Sequence, residues 1–206
     1  MVTTGQAGDL SDGGNIMKVV VSEFVSLDGV MEDPGGAEGY KHGGWSFKFK
    51  RGPEGDKYKV DELAAADALL LGRVTYQSFA KAWPAIKDPD GFADRMNSIR
   101  KYAVSTTLKD SDATWSNTTI IRGDMAAEVA KLKARPGGNL LVFGSAQLAQ
   151  SLAQHGLVDD YRLMVYPVIL GDGKRLFSDA GKMASLKLVD AKPAGDGIVM
   201  LTYQAA

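Results

Sequence analysis

The chain has 206 residues, 45% of them hydrophobic and 24% charged, with 24 basic and 25 acidic side chains for a net charge of −1. That balance lacks the cationic footprint of a nucleic-acid binder, and no window is long and apolar enough for a bilayer-spanning helix. Cysteine is absent, which excludes disulfides, thiolate metal sites and cysteine nucleophiles, and fits a cytoplasmic setting.

Residues 1–16, rich in Gly, Asp, Ser and Thr and without signal-peptide features, read as a disordered extension, and residues 17–206 as a single domain. KVVVSEFV (18–25) is a strand, followed by the turn signal Leu27-Asp28-Gly29. Residues 32–55 carry seven glycines and two prolines among aromatics, the composition of a loop. KYKVDELAAADA (57–68) has the apolar spacing of a helix, with Val60, Leu63 and Ala64 on one face, and feeds the strand ALLLG (68–72). A helix over 74–83 ends at Pro84. Beyond it FADRMNSI (92–99) is helical, KYAVST (101–106) and TTII (118–121) are strands, and DMAAEVAKLKA (124–134) is a helix whose charges match its dipole. NLLVFG (139–144) is a strand and SAQLAQSLAQHG (145–156) a helix closed by Gly156. The remainder is β: 161–170, then 185–193 and 198–204 around the turn Gly195-Asp196-Gly197. Strands alternating with helices predict an α/β fold with a mostly parallel central sheet, finished by an antiparallel hairpin.

Ligands of such sheets sit beyond the carboxyl ends of the strands, and three of those ends are alike. LLLG-Arg73-Val74-Thr75 and LVFG-Ser145-Ala146 each run apolar strand, glycine, polar residue, helix. A helix N-terminus offers unpaired N–H groups and partial positive charge, and a glycine lets an anion approach the backbone. Two such corners suit a pyrophosphate. Arg73 adds a fork for a further phosphate. The third end, Ser105-Thr106-Thr107, supplies hydroxyls suited to a ribose 2′-phosphate, so the set favours NADPH over NADH. Taken singly, glycine after a strand and Ser or Thr before a helix are ordinary turn and cap residues; the repetition at three ends carries the reading.

LLLGRVTYQSF (69–79), YAVST (102–106), LLVFGSAQLAQSL (140–152) and GLVDDYRLMVYPVILGDGKRLF (156–177), in that order, resemble the family with the dihydrofolate reductase fold. More closely, they resemble the C-terminal reductase domain of bacterial riboflavin-biosynthesis proteins and its stand-alone relatives. The resemblance covers about residues 17–204 and implies a three-layer α/β fold, NADPH bound across the carboxyl edge of the sheet, and a homodimer. It implies that Gly72, Arg73, Val74 and Thr75 form one side of the cofactor site, that Ser105, Thr106 and Thr107 meet the adenosine phosphate, and that Gly144, Ser145, Ala146 and Leu148 wrap the pyrophosphate. Many relatives carry Gly-Gly where this chain has Gly144-Ser145, a departure at a tight corner.

The nicotinamide is expected over the end of the first strand, near Phe24, Ser26 and Asp28. Asp28 either relays a proton or only makes the Asp-Gly turn. Counting back from the strand-Gly-Arg corner, the acid that dihydrofolate reductases carry on the preceding helix registers with Asp56, which alternatively caps the helix at 57–68. WSFKFK (45–50) offers aromatics, Trp45 first, to stack a planar substrate, or else forms an edge strand. Pro167, Leu170, Gly171 and Gly173 fall on the expected substrate side, where Lys174-Arg175 either meet a phosphate or lie in solvent. No G-x-G-x-x-G, Walker loop, H-E-x-x-H or G-x-S-x-G occurs, so no metal is expected. Two readings follow: an NADPH-dependent reductase of a pterin, folate or riboflavin-precursor heterocycle, or a non-catalytic module that binds the nucleotide.

Overall fold

Val19, Val20 and Val21 are all fully buried, because the strand that bears them, β1 (Lys18–Ser26), is covered by helices on both faces. The computed structural model describes residues 16–177, 181 and 183–206. The extension expected over residues 1–16 lies outside them except for Ile16, which bridges to Pro136. The other strands are β2 (Ala66–Gly72), β3 (Arg100–Val104), β4 (Thr118–Ile121), β5 (Asn139–Val142), β6 (Asp160–Tyr166), β7 (Leu186–Ala194) and β8 (Ile198–Ala205). They form one sheet in the order β4-β3-β2-β5-β1-β6-β8-β7. Every pairing from β4 to β6 is parallel, and the β6–β8 and β8–β7 pairings are antiparallel.

The helices are α1 (Gly52–Ala64), α2 (Arg73–Ala82), α3 (Phe92–Ser98), α4 (Met125–Lys133) and α5 (Ala146–Gln154). Leu63, Tyr76 and Met96 bring α1, α2 and α3 onto one face of the sheet, against Val20, Leu69, Leu71 and Leu141. Val129, Leu132, Leu148 and Leu152 bring α4 and α5 onto the other, against Val19, Val21, Leu70 and Val142. This is the expected three-layer arrangement. Each such fully buried aliphatic side chain contributes about 1.5–3 kcal/mol of transfer free energy.

Several expected boundaries move, each for a local reason. The helix expected at 57–68 begins at Gly52, where Pro53 occupies the first turn and loses no hydrogen bond there. It ends at Ala64, because Ala66 and Ala68 are buried and Asp67 is exposed, the alternation of a strand. Asp56 is therefore inside the helix and is not its cap; Arg51 holds that position. The segment 45–50 is no edge strand: Trp45–Lys48 is a short 3-10 turn. The strand expected to run to residue 170 stops at Tyr166, because the chain beyond it is drawn to the β1 turn, where Leu27 N–H donates to the Val168 carbonyl. β3 ends at Val104, since the Ser105 hydroxyl accepts from the N–H groups of Thr107 and Leu108 and turns the chain.

Candidate functional site

Because β3, β2, β5, β1 and β6 are mutually parallel and adjacent, their carboxyl ends line one edge of the sheet. The three similar corners lie side by side there, on β3, β2 and β5. A single hydroxyl joins two of them. Ser145 Oγ accepts from Gly72 N–H at 2.8 Å and donates to Thr75 Oγ1 at 2.9 Å. Gly144 and Ser145 both have left-handed backbone, with φ of 57° and 62°. A Cβ on Gly144 would lie 3.0 Å from Thr75 Cγ2, so the glycine lets the corners close on one another. Arg73 and Val74 project from the start of α2; Val74 is 54% exposed, and the Arg73 guanidinium bonds the Gln77 side chain at 3.0 Å. Among the described residues no carboxylate pairs with Arg73. Thr106 and Thr107 are exposed at the β3 exit, and Ala146 is half-buried at the start of α5. Ser105, by contrast, is spent on its own turn, and Leu148 belongs to the core rather than to the surface of the corner.

Beneath the Gly144 corner lies a buried charged cluster. Glu23 Oε2 accepts from Gly144 N–H at 2.9 Å, while its Oε1 has no partner among the described residues. Burial pushes the Glu23 carboxyl well above the usual carboxylate range, against the pull of the Gly144 N–H and of Lys59. On the α1 face of the sheet, Lys59 Nζ bonds Ser22 Oγ at 2.8 Å and the Glu62 carboxylate at 2.5 Å, and it lies 4.5 Å from the centre of the Phe143 ring.

The adjoining strand ends, β1 and β6, open onto a cavity of about 440 Å³. Its walls are the rings of Phe24, Phe47, Phe49 and Tyr166, with Ser46 and the segment from Lys50 to Pro53, and with Asp56 from the first turns of α1. Phe24 and Tyr166 stand 5.4 Å apart at 57° and Phe49 and Tyr166 6.0 Å apart. Arg51 Nη2 pairs with Asp56 Oδ1 at 2.9 Å. Of the residues expected here, Phe24 and Asp56 line the cavity. Trp45 does not: it is fully buried, with its indole N–H on the Glu32 carbonyl at 2.8 Å.

Asp28 is a fastener. Its carboxylate accepts from Ser26 Oγ at 2.6 Å, Leu170 N–H at 3.1 Å and Gly171 N–H at 2.9 Å. Burial pushes the acid up, and these donors together pull it down further, to about 2. An acid held ionised and fully engaged has no proton to relay. Ser26 is likewise consumed: it is buried, and its hydroxyl also accepts from Val30 N–H. Pro167, Leu170, Gly171 and Gly173 do not line the cavity; they belong to a loop clipped onto the β1 turn. Lys174 pairs with Glu32 at 2.7 Å and the Arg175 guanidinium bonds the Asp28 carbonyl, so neither waits for a phosphate.

The sequence model of the RibD C-terminal domain family matches residues 17–200. The chain belongs to that family. Within the RibD C-terminal domain family, the uncharacterized protein YyaP of Bacillus subtilis (strain 168) is 30% identical over 189 residues, covering 90% of this chain and 94% of its own. Among solved structures, a putative riboflavin biosynthesis protein from Shewanella sp. PV-4 superposes with a TM-score of 0.73 at 20% identity, over 92% of this chain and 99% of that one. The dihydrofolate reductase of Enterococcus faecalis, solved with NADP(H), superposes with a TM-score of 0.57 at 13% identity, over 91% and 96%. The RibD C-terminal domain family and the dihydrofolate reductase fold are thus shown for this chain.

The aromatic segment 45–50 singled out from sequence supplies Phe47, Phe49 and Lys50 to the cavity wall, whereas Arg51 and Tyr166 were not singled out. Tyr166 was hidden because the apolar run carries the expected strand on to residue 170, past the point where it ends. Arg51 had no signal, because it follows a loop whose end is pinned by contacts with the distant β7–β8 turn.

Proposed function

We propose that the protein is an NADPH-dependent reductase that passes hydride to a planar heterocycle of the pterin, folate or riboflavin-precursor kind. One observation carries this reading: the glycine corners of β2 and β5 are joined through Ser145, no carboxylate among the described residues pairs with Arg73, and the corners adjoin an aromatic-walled cavity at β1. The corners fit a dinucleotide, since the Gly72 and Gly144 N–H groups are spent on Ser145 and Glu23 but the N-termini of α2 and α5 remain for a pyrophosphate. Bound there, the dihydronicotinamide supplies the hydride. The chain's own part is placement: Arg73 and Thr106–Thr107 hold the 2′-phosphate end, Val74 packs the adenosine, and Phe24, Phe49 and Tyr166 orient and desolvate the acceptor.

NADPH consumption with dihydrofolate, a pyrimidine riboflavin precursor or another planar acceptor tests the proposal. Binding without turnover across such a panel makes the protein a nucleotide-binding module. Arg73→Ala is expected to weaken NADPH by about tenfold or more and NADH little, as loss of a charged phosphate contact does. Equal losses would remove Arg73 from the 2′-phosphate. We also propose a homodimer, with the exposed Leu186, Leu188, Val189 and Val199 of the terminal hairpin as the self-association face; light scattering giving a monomer mass at micromolar concentration would refute it.

A further inference from the structure

The cavity beside β1 is unequal in charge and in hydrogen-bonding sense. Among its lining residues Lys50 and Arg51 are cationic, and Asp56 is the one carboxylate. One of its two oxygens, Oδ1, is already paired. Arg51 clasps it at 2.9 Å, and the same guanidinium lies 5.5 Å over the Phe24 ring. A protonated amidine, such as the edge of a 2-aminopyrimidine, needs both carboxylate oxygens as acceptors. To bind here it would have to evict an arginine and accept a second cation, Lys50, beside it.

Tyr166 points the same way. It is 1% exposed and lines the cavity. Burial keeps its phenol protonated, pushed up to about 12 although Arg51 draws it down, and no described group hydrogen-bonds its hydroxyl. In the cavity wall the Tyr166 phenol, the Arg51 guanidinium and the Lys50 ammonium are donors, two of them positively charged, against a single carboxylate that Arg51 already engages. The tilted rings of Phe24, Phe49 and Tyr166 accommodate a flat partner.

We propose that this cavity selects planar rings bearing an acidic oxygen, a ring enolate, imide oxygen or aromatic carboxylate, and disfavours protonated amidines. Arg51 and Tyr166 are the residues that decide the choice. The inference rests on the reductase reading only in calling such a ring the acceptor; the binding preference stands without the cofactor.

The test titrates the full chain, without nucleotide, with 2-naphthoate and with 2,4-diaminopyrimidine at a pH where the latter is protonated. The wild type is expected to bind naphthoate about tenfold or more tightly than the diaminopyrimidine. Arg51→Gln should reverse the order, by removing the cation and freeing Asp56. Asp56→Asn should keep or strengthen naphthoate binding, and Tyr166→Phe should weaken it severalfold. Arg51 and Asp56 are 34% and 54% exposed in their side chains, so both variants are expected to fold, and circular dichroism checks that they do. Tighter or equal binding of the diaminopyrimidine to the wild type, failure of both probes to bind, or naphthoate binding indifferent to Arg51→Gln overturns the proposal. An anionic ring that binds in the Arg51-dependent way yet never consumes NADPH overturns the reductase reading instead, so the two failures are distinguishable.

Discussion

Ser145 is a non-glycine residue in left-handed backbone, a conformation that costs of order 1 kcal/mol and is kept when something compensates it. Here the compensation is the hydroxyl, which takes the Gly72 N–H and gives its proton to Thr75. A glycine at this position would relax the backbone and leave the two corners unjoined. Ser145→Ala keeps the strain and loses both bonds, so it should destabilise the fold by about 1–2 kcal/mol and weaken NADPH through a looser corner. Ser145→Gly should recover part of the stability without recovering the affinity. Urea unfolding alongside a cofactor titration separates the two effects; if both variants bind NADPH as the wild type does, the hydroxyl is not what shapes the corner.

At the scale of elements, the rim of the cavity is built by a contact between segments far apart in the chain. The Lys50 N–H donates to Asp196 Oδ2 at 2.8 Å and the Lys50 carbonyl accepts from Asp196 N–H at 2.9 Å. Gly195, between β7 and β8, has φ of 48°, and a Cβ there would fall 1.9 Å from the Lys50 oxygen. Gly195→Ala must therefore push the turn off the segment that carries Lys50 and Arg51. The expected cost is about 2 kcal/mol or more, read by thermal unfolding, with a larger loss of naphthoate binding than of NADPH binding. Equal losses would mean that the turn supports the whole edge and not the cavity. This contact also shows where sequence reading stops. The β-strands of the centre were legible because both of their faces are buried, leaving continuous apolar runs such as Leu69-Leu70-Leu71. The start of α1 was not, because Arg51 and Gly52 owe their conformation to a turn more than a hundred residues away. Trp45 misled for a related reason: an aromatic in a glycine-rich loop looks available for stacking, and only the fold shows Tyr166 and the Glu32 carbonyl closing around it. The corners at Gly72 and Gly144 were legible because the chemistry of a strand exit is local, whereas the partner of Asp56 was not, because no spacing rule places Arg51 upon it.

For the whole molecule, two carboxyls on the β1 segment set opposite pH trends in stability. Asp28 has its folded value lowered from 3.8 to about 2. Its contribution is fully present above the unfolded value and is lost as pH falls through the folded one. Glu23 has its folded value raised from 4.5, so the folded protein binds more protons than the unfolded chain above that pH. Its effect is the reverse: stability is greatest below the unfolded value and declines as pH rises toward the folded one. Since Glu23 Oε2 holds the Gly144 N–H and its Oε1 is unpartnered among the described residues, glutamine can keep the bond and remove the titration. Melting temperatures of the wild type and Glu23→Gln should therefore diverge as pH rises above the ordinary carboxylate range, the variant gaining on the wild type. Asp28→Asn should lower stability at neutral pH, because its amide turns a donor toward a donor, and should flatten the acid limb. Parallel curves for Glu23→Gln and the wild type across that range would show that Glu23 ionises freely in the folded state. The buried carboxyl would then be a negative charge under the β5 corner, and the electropositive character that the pyrophosphate reading requires there would be lost.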